Sequence, residues 1–259
     1  MKKVTLILLL VGGLLLTAGC TTGGGGPSGN LSVQGSNVTL MSGGKAYPAY
    51  LAEPVTTGKY PGIVMIHSFN GLEPGYRALA NQLAREGYVV IAPEWQTYNP
   101  RAGDDEVMDL VRSAVALLGG YQDVDASRLG LTGFCAGGRF TMLLLPQIKE
   151  FESGVAFYGF PYSTGYANNT TPASHVSELN QPMLIIHGTR DQASNITDIY
   201  RYAGELDAAE KYFEMKVYQG EPHGFMVVNG SLSTSFASQN AYLEMADFFD
   251  RTLLGDRIT

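Results

Sequence analysis

The chain has 259 residues, of which 45% are hydrophobic and 16% are charged. This length suits one large α/β domain, or at most two small ones, and a single domain of this size can bury a substantial core without disulfides or metals. The net charge of -7 at pH 7 argues against a nucleic-acid partner, because the chain has no basic stretch that would neutralise phosphates.

The first 19 residues have the pattern of a signal peptide. Lys2 and Lys3 form a positively charged start, and residues 4–16 form an apolar segment. That segment is too short to cross a membrane comfortably. We therefore expect an exported protein.

The segment Thr17-Ala18-Gly19-Cys20 resembles the lipobox of prokaryotic lipoproteins, in which the cysteine becomes the lipidated first residue. Leu is usual where this chain has Thr17, so ordinary signal cleavage or a retained anchor stays an alternative. We favour a lipid on Cys20 that holds the protein at the outer face of a membrane. Residues 20–30, rich in glycine, are then a flexible tether.

From residue 31 onward, short strands alternate with helices. A hairpin is predicted over 37–52, with its turn at 42–45. Further strands are predicted at 62–67, 88–92, 128–134, 154–158, 183–187 and 212–218. Helical spacing of apolar residues predicts helices at 76–86, 104–118, 137–145, 196–209 and 235–253. The alternation indicates one domain over 31–259, with a mainly parallel, doubly wound sheet flanked by helices.

Cys135 is the first candidate for chemistry. Glycines stand two residues before and two residues after it, in Gly133-Phe134-Cys135-Ala136-Gly137. Such spacing permits a tight strand-to-helix turn that lifts a nucleophile above the sheet. The start of the following helix favours a thiolate, and the backbone N–H of Ala136 is a candidate oxyanion donor. A buried structural cysteine would fit the motif alone equally well.

Two later segments supply what a nucleophile requires. Asp191 follows a predicted buried strand, and His223 follows the last strand, before the terminal helix. The order nucleophile, acid, histidine, each on a loop after a strand, is that of an α/β-hydrolase triad. We therefore predict that Cys135, His223 and Asp191 are the catalytic residues.

Together these segments resemble the dienelactone hydrolase family of α/β-hydrolases, from about residue 37 to residue 254. The resemblance rests on Gly-Phe-Cys-Ala-Gly-Gly, His-Gly-Thr-Arg-Asp and Pro-His-Gly-Phe. It implies the α/β-hydrolase fold, the same triad, and a second oxyanion donor from the N–H of Phe69. It also implies a small ester or lactone as substrate, with no cofactor.

Two positions depart from the family pattern. The members that cleave dienelactone have Glu where this chain has Ser68, and Arg where it has Val227. Activation of the thiol would then rest on His223 and the helix terminus, and dienelactone itself is not the expected substrate. Ser68, Arg101 and Tyr158 are the remaining candidates for substrate contacts.

The sequence thus predicts a hydrolase of carboxylic esters or lactones that works through an acyl-enzyme. Two alternatives stay open: a non-hydrolytic binding protein on the same fold, which Ser68 favours, and a hydrolase of another bond such as a peptide. The spacing of His, Cys and Asp fits no metal site. A Cys20–Cys135 disulfide is not expected, because the two sequence contexts differ sharply.

Overall fold

A computed structural model describes residues 31–166 and 170–255. The signal peptide, Cys20 and the tether that the sequence predicts lie outside these residues. Within the described part of the chain, no helix is long and apolar enough to cross a membrane.

In the described part of the chain, eight strands form one sheet, in the order β1-β2-β4-β3-β5-β6-β7-β8. β2 pairs antiparallel with both β1 and β4, and the remaining neighbours are parallel. The predicted mainly parallel sheet is confirmed. The strands are β1 Val33–Ser42, β2 Lys45–Pro54, β3 Tyr60–Ile66, β4 Val89–Pro93, β5 Val124–Phe134, β6 Phe151–Phe157, β7 Met183–Gly188 and β8 Phe213–Tyr218.

Among the described residues, five α-helices cover the two faces of the sheet. They are α1 Pro74–Arg85, α2 Asp104–Gly120, α3 Ala136–Leu144, α4 Ile196–Ala208 and α5 Phe236–Phe249. Alternate residues of a strand point to opposite faces, and β3 shows this clearly. Ile63 and Met65 belong to the core with α1 and α5, whereas Val64 and Ile66 belong to the core with α2, α3 and α4. The continuous apolar runs in the sequence reflect this burial on both faces.

Three short elements lie outside the predicted pattern. A 3-10 helix spans Pro172–Glu178, and a small hairpin joins β9 Val227–Val228 to β10 Ser231–Leu232. The last predicted helix is α-helical only to Phe249, after which residues Asp250–Leu254 form a π-helical turn. None of these elements is long enough to show a hydrophobic period in the sequence.

The parallel strands bring the candidate residues to one edge of the sheet. The loop with Ser68 and Phe69 follows β3, Cys135 follows β5, Asp191 follows β7, and His223 lies in the loop after β8. Ligands bind beyond the carboxyl ends of strands in open α/β sheets. The topology therefore places these residues where a site is expected.

Candidate active site

Cys135 occupies a strained turn between β5 and α3. Its backbone angles are φ 57° and ψ -113°, in a region that residues other than glycine rarely adopt. The surrounding structure holds the turn, because the Cys135 N–H donates to the Phe157 carbonyl at 3.1 Å and the Arg139 N–H donates to the Cys135 carbonyl at 2.9 Å. This is the geometry of a nucleophile elbow, and within the described residues Cys135 is a free thiol.

Backbone packing explains the glycines around Cys135. A Cβ on Gly133 would lie 2.2 Å from the Gly137 carbonyl oxygen, and a Cβ on Gly137 would lie 2.0 Å from the Ile66 carbonyl oxygen. Both distances are far below van der Waals contact with atoms that cannot move aside. The elbow therefore depends on glycine at both positions, and α3 begins directly above β3 and β5.

Asp191 and His223 form a hydrogen-bonded pair. The Nδ1–H of His223 donates to Asp191 Oδ2 at 2.7 Å. The other carboxylate oxygen, Oδ1, accepts the backbone N–H groups of Ala193 at 2.9 Å and Ser194 at 2.8 Å. The carboxylate is thus fixed on both sides, and its side chain is fully buried. A carboxylate held in this way orients a histidine ring and fixes its tautomer.

The environment of this pair shifts both pKa values. Burial alone would lower the pKa of His223, but the hydrogen bond to Asp191 and the proximity of the Cys135 thiol outweigh it and raise that pKa to about 9. Burial would raise the pKa of Asp191, yet the hydrogen bonds from His223 and the Ser194 amide leave it below its ordinary value. His223 Nε2 is buried and makes no hydrogen bond of ordinary geometry to the described residues. That nitrogen is available for proton transfer.

The loop after β3 is held by its own hydrogen bonds. The Ser68 hydroxyl accepts the Asn70 N–H at 3.2 Å, and Gln96 Nε2 donates to the Phe69 carbonyl at 3.0 Å. The backbone N–H groups of Phe69 and Ala136 donate no hydrogen bond to any residue that the structure describes. Both residues line the same cavity as Cys135. Two unpaired donors beside a nucleophile match the requirement of an oxyanion hole.

Two other histidines near the site have structural partners. His67 Nδ1 donates to the Ser68 carbonyl at 2.7 Å, and its ring stacks on Trp95 at 5.5 Å between centroids. Burial lowers the pKa of His67 to about 4. His187 Nε2 donates to the Ser194 carbonyl at 2.9 Å and is fully buried. Both rings support the loops of the site.

A cavity of about 270 Å³ opens on the nucleophile. Cys135 and Ala136 form one wall, and aromatic side chains from four loops and helices form much of the rest. The aromatic residues are Phe69, Trp95, Phe140, Phe160 and Tyr166. The cavity therefore combines a reactive end with an apolar interior, which is the usual composition of a small-molecule site.

The remaining sequence candidates lie around the cavity and do not line it. Ser68 is buried, and Arg101 is exposed, with its guanidinium over the Tyr166 ring at 5.6 Å. Tyr158 differs from the expectation of a substrate contact, because it is fully buried. Its φ of 37° follows the end of β6, and its ring packs edge-on against His223 at 5.0 Å. Val227 packs beside Gly75 at the start of α1, away from the cavity.

One charged pair of the cavity wall was absent from the sequence prediction. Arg139 donates to both carboxylate oxygens of Asp104, at 2.7 Å and 2.9 Å, and the two side chains are only 5% and 3% exposed. The sequence does contain a sign of this pair, because Arg139 is the one charged residue of α3 and most of the other residues in that helix are small or apolar. A buried cation requires a partner. The sequence alone does not say which acidic residue provides it.

Comparison with known proteins agrees with this architecture. Residues 47–253 match the "Dienelactone hydrolase family". A relative from Methylorubrum extorquens, named "Putative carboxymethylenebutenolidase", is 28% identical over 220 residues, which cover 78% of this chain and 76% of the relative. A relative from Bradyrhizobium, named "Probable 2-oxo-3-(5-oxofuran-2-ylidene)propanoate lactonase", is 26% identical over 85% of this chain and 95% of its own length.

A solved structure from Klebsiella pneumoniae subsp. pneumoniae, titled "Putative Dienelactone Hydrolase", superimposes with a TM-score of 0.77 at 25% identity. The match covers 85% of this chain and 99% of that one. The family match extends over the elbow and the Asp191–His223 pair. The chain therefore belongs to the dienelactone hydrolase family of α/β-hydrolases.

Proposed function

We propose that this protein hydrolyses carboxylic esters or lactones through a Cys135–His223–Asp191 triad and an acyl-enzyme. The observation that carries the proposal is that Cys135 lines one cavity together with Phe69 and Ala136, the two candidate oxyanion donors, and that the His223–Asp191 pair is formed. Nucleophile, base, orienting carboxylate and oxyanion donors are the parts that acyl transfer to water requires.

In the first half of the reaction, the Cys135 thiolate attacks the substrate carbonyl carbon and forms a C–S bond. The carbonyl π electrons move to oxygen, where the N–H groups of Phe69 and Ala136 stabilise the charge. When the C–O bond to the leaving group breaks, His223 Nε2 gives its proton to the departing alkoxide. The product is a thioester on Cys135 and a free alcohol.

In the second half, His223 Nε2 takes a proton from water as its oxygen attacks the thioester carbonyl. The tetrahedral intermediate collapses with cleavage of the C–S bond, which releases the carboxylic acid and returns the sulfur as thiolate. Asp191 stabilises the imidazolium in both halves because it accepts the Nδ1–H throughout.

Dienelactone-type acidic lactones do not fit the residues present. Val227 is apolar and packs on α1, so it cannot form a hydrogen bond or ion pair with a substrate carboxylate. Ser68 is neutral, so the thiol is activated by His223 and the start of α3 without a neighbouring carboxylate. The substrate class of the lactonase relative is therefore not carried over to this chain.

A binding protein that retains the fold without turnover is the alternative that Ser68 favours. A small activated ester distinguishes hydrolysis from binding without turnover. It is tested with the purified wild type and with the variants Cys135→Ala and His223→Ala. Hydrolysis predicts a burst followed by steady turnover, with at least about a 1,000-fold loss in each variant. A stoichiometric burst that stops would identify a protein that is acylated but does not turn over. Near-native activity in either variant would contradict the triad.

We also propose that the protein is exported and anchored to the outer face of a membrane by a lipid on Cys20. The support is the positively charged start, the apolar segment and the lipobox-like residues before Cys20. Metabolic labelling with a fatty acid should mark the wild type and leave Cys20→Ala unlabelled. Persistent labelling of that variant would exclude Cys20 as the lipidated residue.

A further inference from the structure

We infer that the cavity beside Cys135 selects uncharged aromatic acyl groups, and that Asp104 sets this preference by neutralising Arg139. The inference rests on the proposed function, since it names the class of substrate that the same site accepts. It follows from the walls of the cavity and from one buried ion pair.

Four of the five aromatic side chains that line the cavity form a connected group. The Trp95 ring lies edge-on to Phe140 at 5.4 Å, and Phe69 lies at 6.4 Å from Trp95 and 6.0 Å from Tyr166. Aromatic rings prefer offset or edge-to-face contacts at such centroid separations. A planar aromatic group entering among these rings gains the same contacts, whereas a small acetyl group leaves much of the cavity unfilled. The volume of about 270 Å³ suits one ring system.

Three of the five N–H groups of the Arg139 guanidinium already donate to protein acceptors, and its charge is neutralised by Asp104. The Arg139 Nη1 and Nη2 groups donate to the two oxygens of Asp104, and Nε donates to the Ser163 carbonyl at 2.9 Å. The pair is bidentate and almost fully buried, so its net charge at the cavity is zero. An anionic acyl group would lose its hydration here and meet the Asp104 carboxylate beside the guanidinium. Burying a charge without a partner is strongly unfavourable.

Arg101, a second arginine near the cavity, does not change the preference for uncharged acyl groups. Arg101 is exposed, and its guanidinium lies 5.6 Å from the centre of the Tyr166 ring. Attraction between an exposed arginine and a carboxylate in water is weak, because the solvent screens both charges. The charge selectivity of the cavity is therefore set at Asp104 and Arg139.

The test uses para-nitrophenyl esters that share one leaving group and differ in the acyl group. They are the acetate, the benzoate and the meta-carboxybenzoate, with each kcat/KM divided by the rate constant of hydroxide-catalysed hydrolysis. We expect the benzoate to exceed the acetate by about tenfold or more. We expect it to exceed the carboxybenzoate by roughly 100-fold.

Substitutions at Asp104 and Arg139 test whether this ion pair causes the preference for uncharged acyl groups. Asp104→Asn frees part of the Arg139 guanidinium and should reduce the discrimination against the carboxybenzoate by about tenfold or more. The control is Asp105→Asn, at the exposed neighbouring residue of the same helical turn. This variant should discriminate against the carboxybenzoate as strongly as the wild type does. If Asp104→Asn does not fold, the double variant Asp104→Leu with Arg139→Leu, which removes both charges, must keep the wild-type discrimination.

The outcomes separate the inference from the proposed function. Absence of turnover with all three esters, or turnover that survives Cys135→Ala, contradicts the proposed function. Cys135-dependent turnover that favours the carboxybenzoate, and that falls in Arg101→Gln, overturns the inference alone. A folded Asp104→Asn variant with wild-type discrimination, or loss of discrimination in the double variant, also overturns the role of Asp104.

Discussion

Asp191 accepts a 2.7 Å hydrogen bond from His223, a residue that lies 32 positions further along the chain. Its second oxygen is occupied by the two backbone N–H groups of Ala193 and Ser194. The carboxylate therefore has little freedom to turn, and the imidazole that it holds presents Nε2 towards the nucleophile side of the site. This arrangement makes the protonation state of His223 a measurable property of the folded protein.

The first prediction concerns the titration of His223. Because the folded-state pKa is about 9 and the unfolded value is near 6.5, the folded protein binds the proton more tightly. This group stabilises the fold fully below pH 6.5, and the stabilisation, roughly 3 kcal/mol at most, is lost as pH rises towards 9. Proton NMR of the histidine Cε1–H signals should show one signal with a midpoint near 9. His223→Gln should remove that signal.

The Asp191→Asn variant supplies the comparison for this titration. The amide cannot stabilise the imidazolium as the carboxylate does, so the midpoint of the His223 signal should fall clearly below 9, while Cys135 still opposes the effect of burial. A midpoint that stays near 9 in Asp191→Asn would show that another group holds the proton.

The second prediction concerns the close approach of α3 to β3. Gly137→Ala places a Cβ 2.0 Å from the Ile66 carbonyl oxygen, so the backbone of the elbow must shift. We expect a loss of at least about 2 kcal/mol in the free energy of unfolding, together with loss of turnover. Denaturant unfolding followed by circular dichroism measures the first effect.

A glycine in an open position provides the matched control for Gly137. Gly204 lies within α4, and a Cβ there would meet no atom within 4 Å. Gly204→Ala should stabilise the protein by about 0.5 to 1 kcal/mol, because alanine loses less backbone entropy in a helix. Equal effects of the two substitutions would contradict the packing argument.

The third prediction concerns the stability of the Asp104–Arg139 pair. Asp104→Ala leaves the Arg139 guanidinium buried without its carboxylate, which should cost roughly 3 to 5 kcal/mol in unfolding free energy. Replacement of both residues by leucine should recover most of that loss, since apolar packing replaces the desolvated charges. The exposed Asp105→Ala variant should stay within about 0.5 kcal/mol of the wild type. A mild effect of Asp104→Ala would mean that water reaches the pair.

The fourth prediction concerns Ser68. Ser68→Ala removes the acceptor of the Asn70 N–H, a hydrogen bond worth about 1 kcal/mol, and should lower kcat/KM by no more than about tenfold. His223→Ala should remove most of the turnover, because the thiol is activated mainly by that ring. The pH dependence of Cys135 alkylation by iodoacetamide gives a second readout. If Ser68→Ala lowered kcat/KM more than His223→Ala does, the thiol would be activated mainly by the loop after β3.

Much of the fold was predictable because its strands are buried on both faces. β3, β4 and β7 are continuous apolar runs, and the helices between them show the helical period. The elbow and the order of Cys135, Asp191 and His223 gave a prediction of the site, because parallel strands bring their carboxyl ends to one edge. The structure brings Asp191 and His223 into direct contact, as that prediction requires.

The remainder depends on packing that has no local pattern. Asp104 and Arg139 stand 35 residues apart on two helices, and several other acids were equally plausible partners. Tyr158 follows a strand as a cavity residue would, but its positive φ turns the ring inwards against His223. The partner of Arg139 and the orientation of Tyr158 are determined by tertiary packing, so no local sequence pattern predicts them.

The most direct test of the central claim is the detection of an acyl group on Cys135. Purified protein should be mixed with para-nitrophenyl benzoate, quenched in acid within the burst, and measured by intact mass spectrometry followed by peptide mapping. The account predicts one benzoyl group per chain, located on the peptide that contains Cys135 and absent from Cys135→Ala. Rapid turnover without any acyl adduct on Cys135, or an adduct on another residue, would contradict it.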